Sequence, residues 1–337
     1  MLSIIVPAYN AEKTIRQCLN ALVAQAYPAD LYEIIVVDDG SRDRTKAIVQ
    51  EYAVRYIRQE NQGPAAARNK GANAARGEII LFTDSDCVPD TDWINQMLIP
   101  FEKPEIVAVK GAYKTRQKSI VARFAQIEFE ERFEMLEKAE SIDMVDTYSA
   151  GFRKELFLKI GGFDTSFPEA NNEDTELSYR ISNLGYKMAF NSQAKVYHLN
   201  HPDSIRKYAR LKFWRGYWRM VVYKKFPGKM IKDTYTPQTL KLQILFLYVS
   251  LGLWLPARIL PCLNLPCILS GAVFVLLTIP FTAFAVKRDS LVGLLSPFLL
   301  SLRAASLGAG IIWGMINSSS LSAENKTVVV KGKRTHG

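Results

Sequence analysis

Cysteine and histidine are scarce in this chain. Its 337 residues include four Cys and three His, and Cys18, Cys87, Cys262 and Cys267 show no paired spacing of the zinc type. A disulfide scaffold and a Cys/His zinc cluster are both excluded. The thiols read as free cysteines of a reducing compartment. The amino terminus, MLSIIVPAYN, lacks the basic n-region and the long apolar run of a secretory signal, so the first half of the chain is expected to stay in the cytosol. Acid is scarce late in the chain: residues 242–337 hold two acidic residues against eight basic ones. Residues 1–205 hold 30 acidic and 24 basic residues, whereas 206–241 hold 11 basic and one acidic. The net charge of +10 therefore belongs to one short stretch and to the segments after it. With 48% apolar residues the chain is not disordered, and its length suits a large domain with an appendage.

From about Leu242 three apolar segments follow, with few charges. A helix needs about 20 apolar residues to cross a bilayer. Leu263–Val286 meets this cleanly, and Leu242–Leu260 is barely long enough, with Pro256 and Pro261 at its end. The third segment carries Arg303 near its middle, which is costly in hydrocarbon unless it is paired or snorkels. Two spans and a doubtful third are expected. The positive-inside rule places Lys287 and Arg288 in the cytosol, so the first two segments make a hairpin. A third crossing would put Lys331, Lys333 and Arg334 outside against the same rule, which slightly favours a re-entrant or interfacial third segment. Just before these segments, residues 206–232 alternate basic side chains with Trp214, Tyr217, Trp218 and Tyr223. That composition suits helices on an anionic membrane face. A nucleic-acid patch has similar chemistry, but the adjoining apolar spans make the membrane the partner and exclude nucleic acid.

The first 200 residues alternate strand and helix signals. Ser3–Val6, Glu33–Val37, Val54–Ile57 and Glu78–Phe82 are short apolar runs. Helical patterns lie between them at Ala11–Gln25, Arg42–Tyr52 and Gly63–Arg76, the last opened by a Gly-Pro pair. Such alternation implies βαβ units and an α/β fold with a mostly parallel sheet. In sheets of this kind ligands bind beyond the carboxyl ends of the strands. Asp38-Asp39 and Asp84-Ser85-Asp86 both follow strand ends and should converge on one edge. Two carboxylates two residues apart can face one hard cation, Mg²⁺ or Mn²⁺, which in turn binds phosphate. Taken singly, the same residues are ordinary turn and cap chemistry. Glu173-Asp174 is equally an acidic first helical turn.

In order and spacing, however, SIIVPAYNAEKTIRQCLNAL, EIIVVDDGSRDRT, NQGPAAARNKGANAARGEIILFTDSDC and GGFDTSFPEANNEDTELSYRI resemble the family 2 glycosyltransferases of the GT-A fold, over roughly residues 2–200. That resemblance implies a Rossmann-like catalytic domain followed by helical membrane segments. It implies that Pro7, Ala8, Tyr9 and Glu12 line a nucleotide pocket and that Asp38 or Asp39 contacts the base. Arg68 would approach the diphosphate, Asp84, Ser85 and Asp86 would form the DxD motif with Asp86 the more direct metal ligand, and Asp174 of Glu173-Asp174 would be the catalytic base. Some relatives place a third metal contact at the position of His198. The implied cofactor is a divalent metal, Mg²⁺ or Mn²⁺, and the implied partners are a nucleotide-diphosphate sugar and a lipid-linked or membrane acceptor.

Processive members carry QxxRW after the base region. Here the nearest stretch is Leu211-Lys212-Phe213-Trp214-Arg215, without the Gln and with Arg after Trp, which disfavours polymer synthesis. The expected organisation is a transferase domain over 1–205, basic aromatic interface helices over 206–241, two or three membrane helices over 242–317 and a polar basic tail over 318–337. The expected activity is inverting, metal-dependent transfer of one sugar to a membrane-bound acceptor, as in enzymes that extend lipid-linked saccharides for bacterial exopolysaccharide. The alternatives are transfer to a polyprenyl phosphate itself, or to a glycolipid or carotenoid.

Overall fold

The computed structural model describes residues 1–167 and 171–331, with side chains followed as far as residue 317. The strands are β1 (Leu2–Ala8), β2 (Tyr32–Asp38), β3 (Arg55–Arg58), β4 (Ile79–Phe82), β5 (Cys87–Pro89), β6 (Ile106–Lys114), β7 (Ala150–Arg153) and β8 (Lys187–His198). The helices are α1 (Ile15–Val23), α2 (Thr45–Val49), α3 (Pro64–Ala74), α4 (Trp93–Leu98), α5 (Ile120–Glu137), α6 (Lys154–Lys159), α7 (Glu173–Asn183), α8 (Ile205–Lys225), α9 (Pro227–Ile231), α10 (Gln238–Trp254), α11 (Asn264–Val286) and α12 (Ser290–Lys331). Two units result. One is Met1–Asp203 together with Asp233–Tyr235; the other is Ser204–Lys232 with Thr236 onward.

The first unit is one sheet of eight strands in the order β3-β2-β1-β4-β7-β6-β8-β5. The β1–β2, β1–β4, β2–β3 and β6–β8 pairings are parallel, and the β4–β7, β6–β7 and β5–β8 pairings antiparallel. The α/β fold with a mostly parallel sheet is as the sequence led us to expect. Continuous apolar runs, rather than alternating ones, fill the central strands because helices cover both faces. Ile4, Ile5, Val6, Ile35, Val36, Val37, Ile80 and Leu81 are fully buried. Helix bounds are shorter than the periodicity suggested: α2 occupies only Thr45–Val49, and Asp43 accepts from Thr45 N at 2.9 Å just ahead of it.

Register brings the functional loops together. Ala8 of β1 lies opposite Asp38 of β2, and Ile5 opposite Phe82 of β4, so these strands end along the same edge. At the far side of the sheet β5 runs antiparallel to β8 and sets Cys87 opposite His198. Leu199 N donates to Asp86 O at 2.9 Å.

In the second unit, α10, α11 and α12 supply three segments long and apolar enough to cross a membrane: Gln238–Arg258, Pro261–Val286 and Ser290–Asn317. The first two form an antiparallel pair in which Gln243 donates to Leu277 O at 2.8 Å and Ser250 to Cys267 O at 3.2 Å. The third is helical throughout, passing Pro297 without a break. Arg303 is 1% exposed; it donates to Gln243 Oε1 at 2.8 Å and lies over the Phe281 ring. Its charge thus faces the other helices, which would remove much of the cost the sequence alone assigns to it in a bilayer. The basic helix α8 packs along α12 through glycines. A Cβ on Gly216 would fall 2.3 Å from Leu307 O, and one on Gly310 2.0 Å from Phe213 O, so any larger residue would force the two helices apart. Of the tail expected over 318–337, residues 332–337 lie outside the described residues.

Candidate active site

A cavity of about 720 Å³ opens at the strand edge of the first unit, within the range that holds a cofactor-sized ligand. Pro7, Ala8, Tyr9, Asp39, Arg68, Asp84, Ser85, Asp86 and His198 all line it. Glu12, Asp38, Glu173 and Asp174 are not among the described lining residues. Glu12 is turned toward Arg44, whose backbone N donates to it at 3.2 Å. Asp38 is 1% exposed and is held from behind by Tyr56 OH at 2.6 Å and Ser41 N at 2.8 Å.

Asp39 organises the loop on the opposite wall. Its carboxylate accepts from Gln59 Nε2 at 2.7 Å, Gln62 N at 2.9 Å and Gly63 N at 2.9 Å. Gly63 has φ +88°, a backbone region open to glycine at little cost, and Pro64 then opens α3. The amino end of α3 therefore borders the cavity with Gly63, Pro64, Ala67 and Arg68 on its wall. Asn10, Ala11, Thr14, Asn61 and Asn200 also line it; reading strand ends for carboxylates passed over these. Asn61-Gln62-Gly63-Pro64 was the signal available, since a Gly-Pro helix start follows a polar loop there.

Arg68 is the hinge of the arrangement. It is 2% exposed, and it donates from Nη2 to Asp84 at 2.7 Å and from Nη1 to Glu173 at 2.9 Å. A buried guanidinium with two carboxylates is held in one orientation by charge-assisted bonds. It thereby ties the loop after β4 to the start of α7, which is far away in sequence. Glu173 is 2% exposed. Burial, together with the neighbouring Asp174 charge, pushes its carboxyl up to about 7, and Arg68 only partly offsets this. Asp174 is half-buried in the first turn of α7, with its carboxylate accepting from Thr175 N at 2.7 Å.

The Glu173 shift has a stability consequence. Its proton is held more tightly folded than unfolded, so folding is favoured most below the ordinary carboxyl value of 4.5 and declines as pH rises toward about 7. Glu173→Gln is expected to flatten the thermal midpoint between pH 5 and pH 7, whatever its effect on activity. A variant whose midpoint still falls with pH as steeply as wild type would move that dependence to other groups.

The donor set of the DxD loop fits a hard divalent cation. Asp86 Oδ1 is 3.9 Å from His198 Nε2, and burial raises the Asp86 carboxyl above its usual range, which His198 and Asn200 offset in part. Cys87 offers a sulfur in the same cluster. It is wholly buried, and a soft sulfur ligand suits hard cations poorly. Carboxylate oxygen and imidazole nitrogen remain, a set that suits Mn²⁺ or Mg²⁺.

Residues 3–161 match Glycosyl transferase family 2. The chain carries a family 2 glycosyl transferase domain. Glycosyltransferase AglE of Haloferax volcanii is 28% identical over 194 residues, 56% of this chain and 63% of that protein. The chain thus spans less than two thirds of AglE. A glucosyl-dolichyl phosphate glucuronosyltransferase of the same organism is 25% identical over 250 residues, 67% of this chain and 78% of that protein. Among solved structures, the mannosyltransferase PcManGT of Pyrobaculum calidifontis, in complex with GDP-Man and Mn²⁺, superposes with a TM-score of 0.60 at 20% identity, covering 93% of this chain and 86% of that one. The GT-A-like fold of the family 2 domain is therefore as the motifs implied.

Proposed function

We propose that the chain is a membrane-bound inverting glycosyltransferase that moves one sugar from a nucleotide-diphosphate sugar to a lipid-linked acceptor. The observation that carries this is the Arg68 bridge: one buried guanidinium joins Asp84 of the DxD loop to Glu173 beside Asp174. Two acidic motifs from distant parts of the sequence are thereby tied together, one lining the cavity on the side of the leaving group and the other joined to it through Arg68 and able to take a proton.

In this reading the nucleoside rests on Pro7, Ala8 and the exposed Tyr9 ring, with Asp39 beneath the base. The diphosphate lies at the amino end of α3, where the helix dipole favours anions. Asp86, Asp84 and His198 would hold the divalent cation, which when bound would offset the charge that develops on the leaving diphosphate. Asp174 accepts the acceptor hydroxyl's proton as the new carbon–oxygen bond forms on the face opposite the leaving group. The bond to phosphate breaks with its electron pair going to the nucleoside diphosphate, and the anomeric centre inverts. Arg68 keeps the DxD loop and the base helix in register, and Glu173 acts through Arg68 rather than on substrate.

A lipid-linked saccharide is favoured as acceptor by the likeness to the glucosyl-dolichyl phosphate glucuronosyltransferase and by the apolar helices of the second unit. Transfer to a polyprenyl phosphate itself is the second reading, favoured by the exposed Arg206, Lys207 and Arg210 on α8. UDP-, GDP- and TDP-sugars offered with extracted membrane lipids, and read by mass spectrometry, test both. A lipid heavier by one hexose-type unit is expected. A ladder of additions would overturn the single-transfer reading, and nucleotide-sugar hydrolysis without any lipid product would overturn the acceptor.

The transferase domain, residues 1–205, is placed in the cytosol, followed by interface helices over 206–241 and membrane helices over 242–317. Charged α8 cannot enter hydrocarbon, and its glycine contacts hold the middle of α12 beside it. The tail should then lie in the cytosol. A cysteine introduced near Lys333 is expected to label only after permeabilisation; labelling from outside intact cells would favour three full spans.

A further inference from the structure

The transferase unit takes back three residues after the chain has left it. Asp233-Thr234-Tyr235 stand between α9 and α10, yet they belong to the first unit. Asp233 and Tyr235 are 7% and 6% exposed, and the segment is fastened in three places. Thr234 and Asp143 clasp each other: Asp143 N donates to Thr234 Oγ1 at 2.7 Å and Thr234 N to Asp143 Oδ2 at 3.1 Å. Tyr179 OH donates to Asp233 Oδ2 at 3.3 Å. The Tyr235 ring has the Lys110 ammonium 5.4 Å and the Arg132 guanidinium 5.1 Å from its centroid, and its hydroxyl reaches Asp146 Oδ1 at 3.4 Å.

These fastenings lead to both acidic motifs. Asp143 Oδ1 accepts from Ser182 of α7 at 2.8 Å, and Tyr179 lies on the same helix. Nearby, Val145 N donates to Ser178 Oγ at 3.0 Å, and Ser178 Oγ donates to Asp174 O at 2.7 Å. On the other branch Lys110 is ion-paired with Asp146 and donates to Tyr148 OH at 2.8 Å. The Tyr148 carbonyl in turn accepts from Thr83 Oγ1 at 2.9 Å, one residue before Asp84. Apart from the half-buried Asp143, Asp174, Ser182 and Thr234, these groups are buried, where a satisfied polar network fixes geometry tightly.

We propose that Asp233-Thr234-Tyr235 is a positioning strap that orients the Asp174 helix and, through Tyr148 and Thr83, the DxD loop for sugar transfer. The inference rests on the transferase reading above. Its residues touch no substrate; they are positioning residues acting through α7 and the loop ahead of β7. Only Thr236 and Pro237 separate the strap from the start of α10, so the element that sets the base helix is spliced directly to the first apolar helix.

The test uses the full chain in detergent. Thr234→Val keeps the side-chain shape and removes the hydroxyl clasp; Thr234→Ser restores the hydroxyl. Asp143→Asn approaches the same clasp from the other side, should Thr234→Val fold poorly. For a variant with a near wild-type thermal midpoint, turnover is expected to fall about 10–10²-fold, the cost of about 1 Å of misplacement at a site remote from chemistry, with donor KM nearly unchanged and with rescue in Thr234→Ser. Amide hydrogen exchange supplies a second readout: residues 173–183 should exchange faster in Thr234→Val than in wild type. Unchanged exchange there, or unchanged turnover in an assay where wild type is active, overturns the strap. Wild type inactive with every donor overturns the transferase reading instead, and the exchange comparison still decides the strap.

Discussion

Asp86→Ala is expected to abolish sugar transfer and to weaken nucleotide binding together. Asp86 is the DxD carboxylate that faces His198, at 3.9 Å, whereas Asp84 is already committed to Arg68 at 2.7 Å. Loss of Asp86 therefore removes the main anionic ligand for the cation, and Asp84 cannot swing over without breaking the bridge to Glu173. A loss of at least about 10²–10³-fold is expected, the range for removing one electrostatic contact to a developing oxyanion. The effect on binding distinguishes this residue from a base: nucleoside diphosphate affinity should fall in metal-containing buffer and match that of wild type in EDTA. Wild-type activity persisting in the Asp86→Ala protein with EDTA present would overturn the metal-dependent mechanism. His198→Ala should show the same pattern at smaller amplitude, since the imidazole is the secondary ligand of the pair.

Asp174→Asn is expected to behave in the opposite way. The change keeps the size of the side chain and its bond from Thr175 N, and removes only the proton acceptor. Turnover should fall about 10²–10⁴-fold, the usual contribution of a general base, while donor affinity stays close to wild type. Glu173 offers no substitute: it is 2% exposed and held by Arg68 at 2.9 Å, so it has no route to an acceptor hydroxyl. Full turnover in Asp174→Asn would move the base role to another residue.

The strand ends were legible in the sequence because buried parallel strands are written as short apolar runs, and the turn residues Asp38-Asp39 and Asp84-Ser85-Asp86 mark where they stop. The resemblance named Arg68 as a diphosphate contact. The structure shows both terminal nitrogens of its guanidinium on carboxylates, a pairing that no local pattern records because Glu173 lies 105 residues away. His198 was a weak signal as a lone histidine; it gains meaning only from the antiparallel pairing of β5 with β8. The return of Asp233-Thr234-Tyr235 was hidden for a related reason. A single Asp in a basic stretch reads as a loop residue, and the segment's partners are distant in sequence: Asp143 holds Thr234 and Tyr179 holds Asp233. On the apolar-helix side, composition marked Arg303 as costly unless paired, whereas its pairing with Gln243 depends on a register between two helices that apolar periodicity does not fix.

The glycine seam between α8 and α12 has a consequence for how the chain is made. Gly310 is synthesised 94 residues after Gly216, so at roughly 5–20 residues per second α8 waits about 5–20 s for its partner. Throughout that interval its close-contact face is bare while the two intervening helices, each apolar and long enough to cross a membrane, are made. A ribosome that stalls, or a message that ends, between codons 290 and 305 would release a chain with a finished transferase domain and an orphaned helix. Such chains should be cleared by membrane proteases faster than the full-length product, and Gly310→Leu in the complete chain should share their short lifetime even though its transferase domain is untouched.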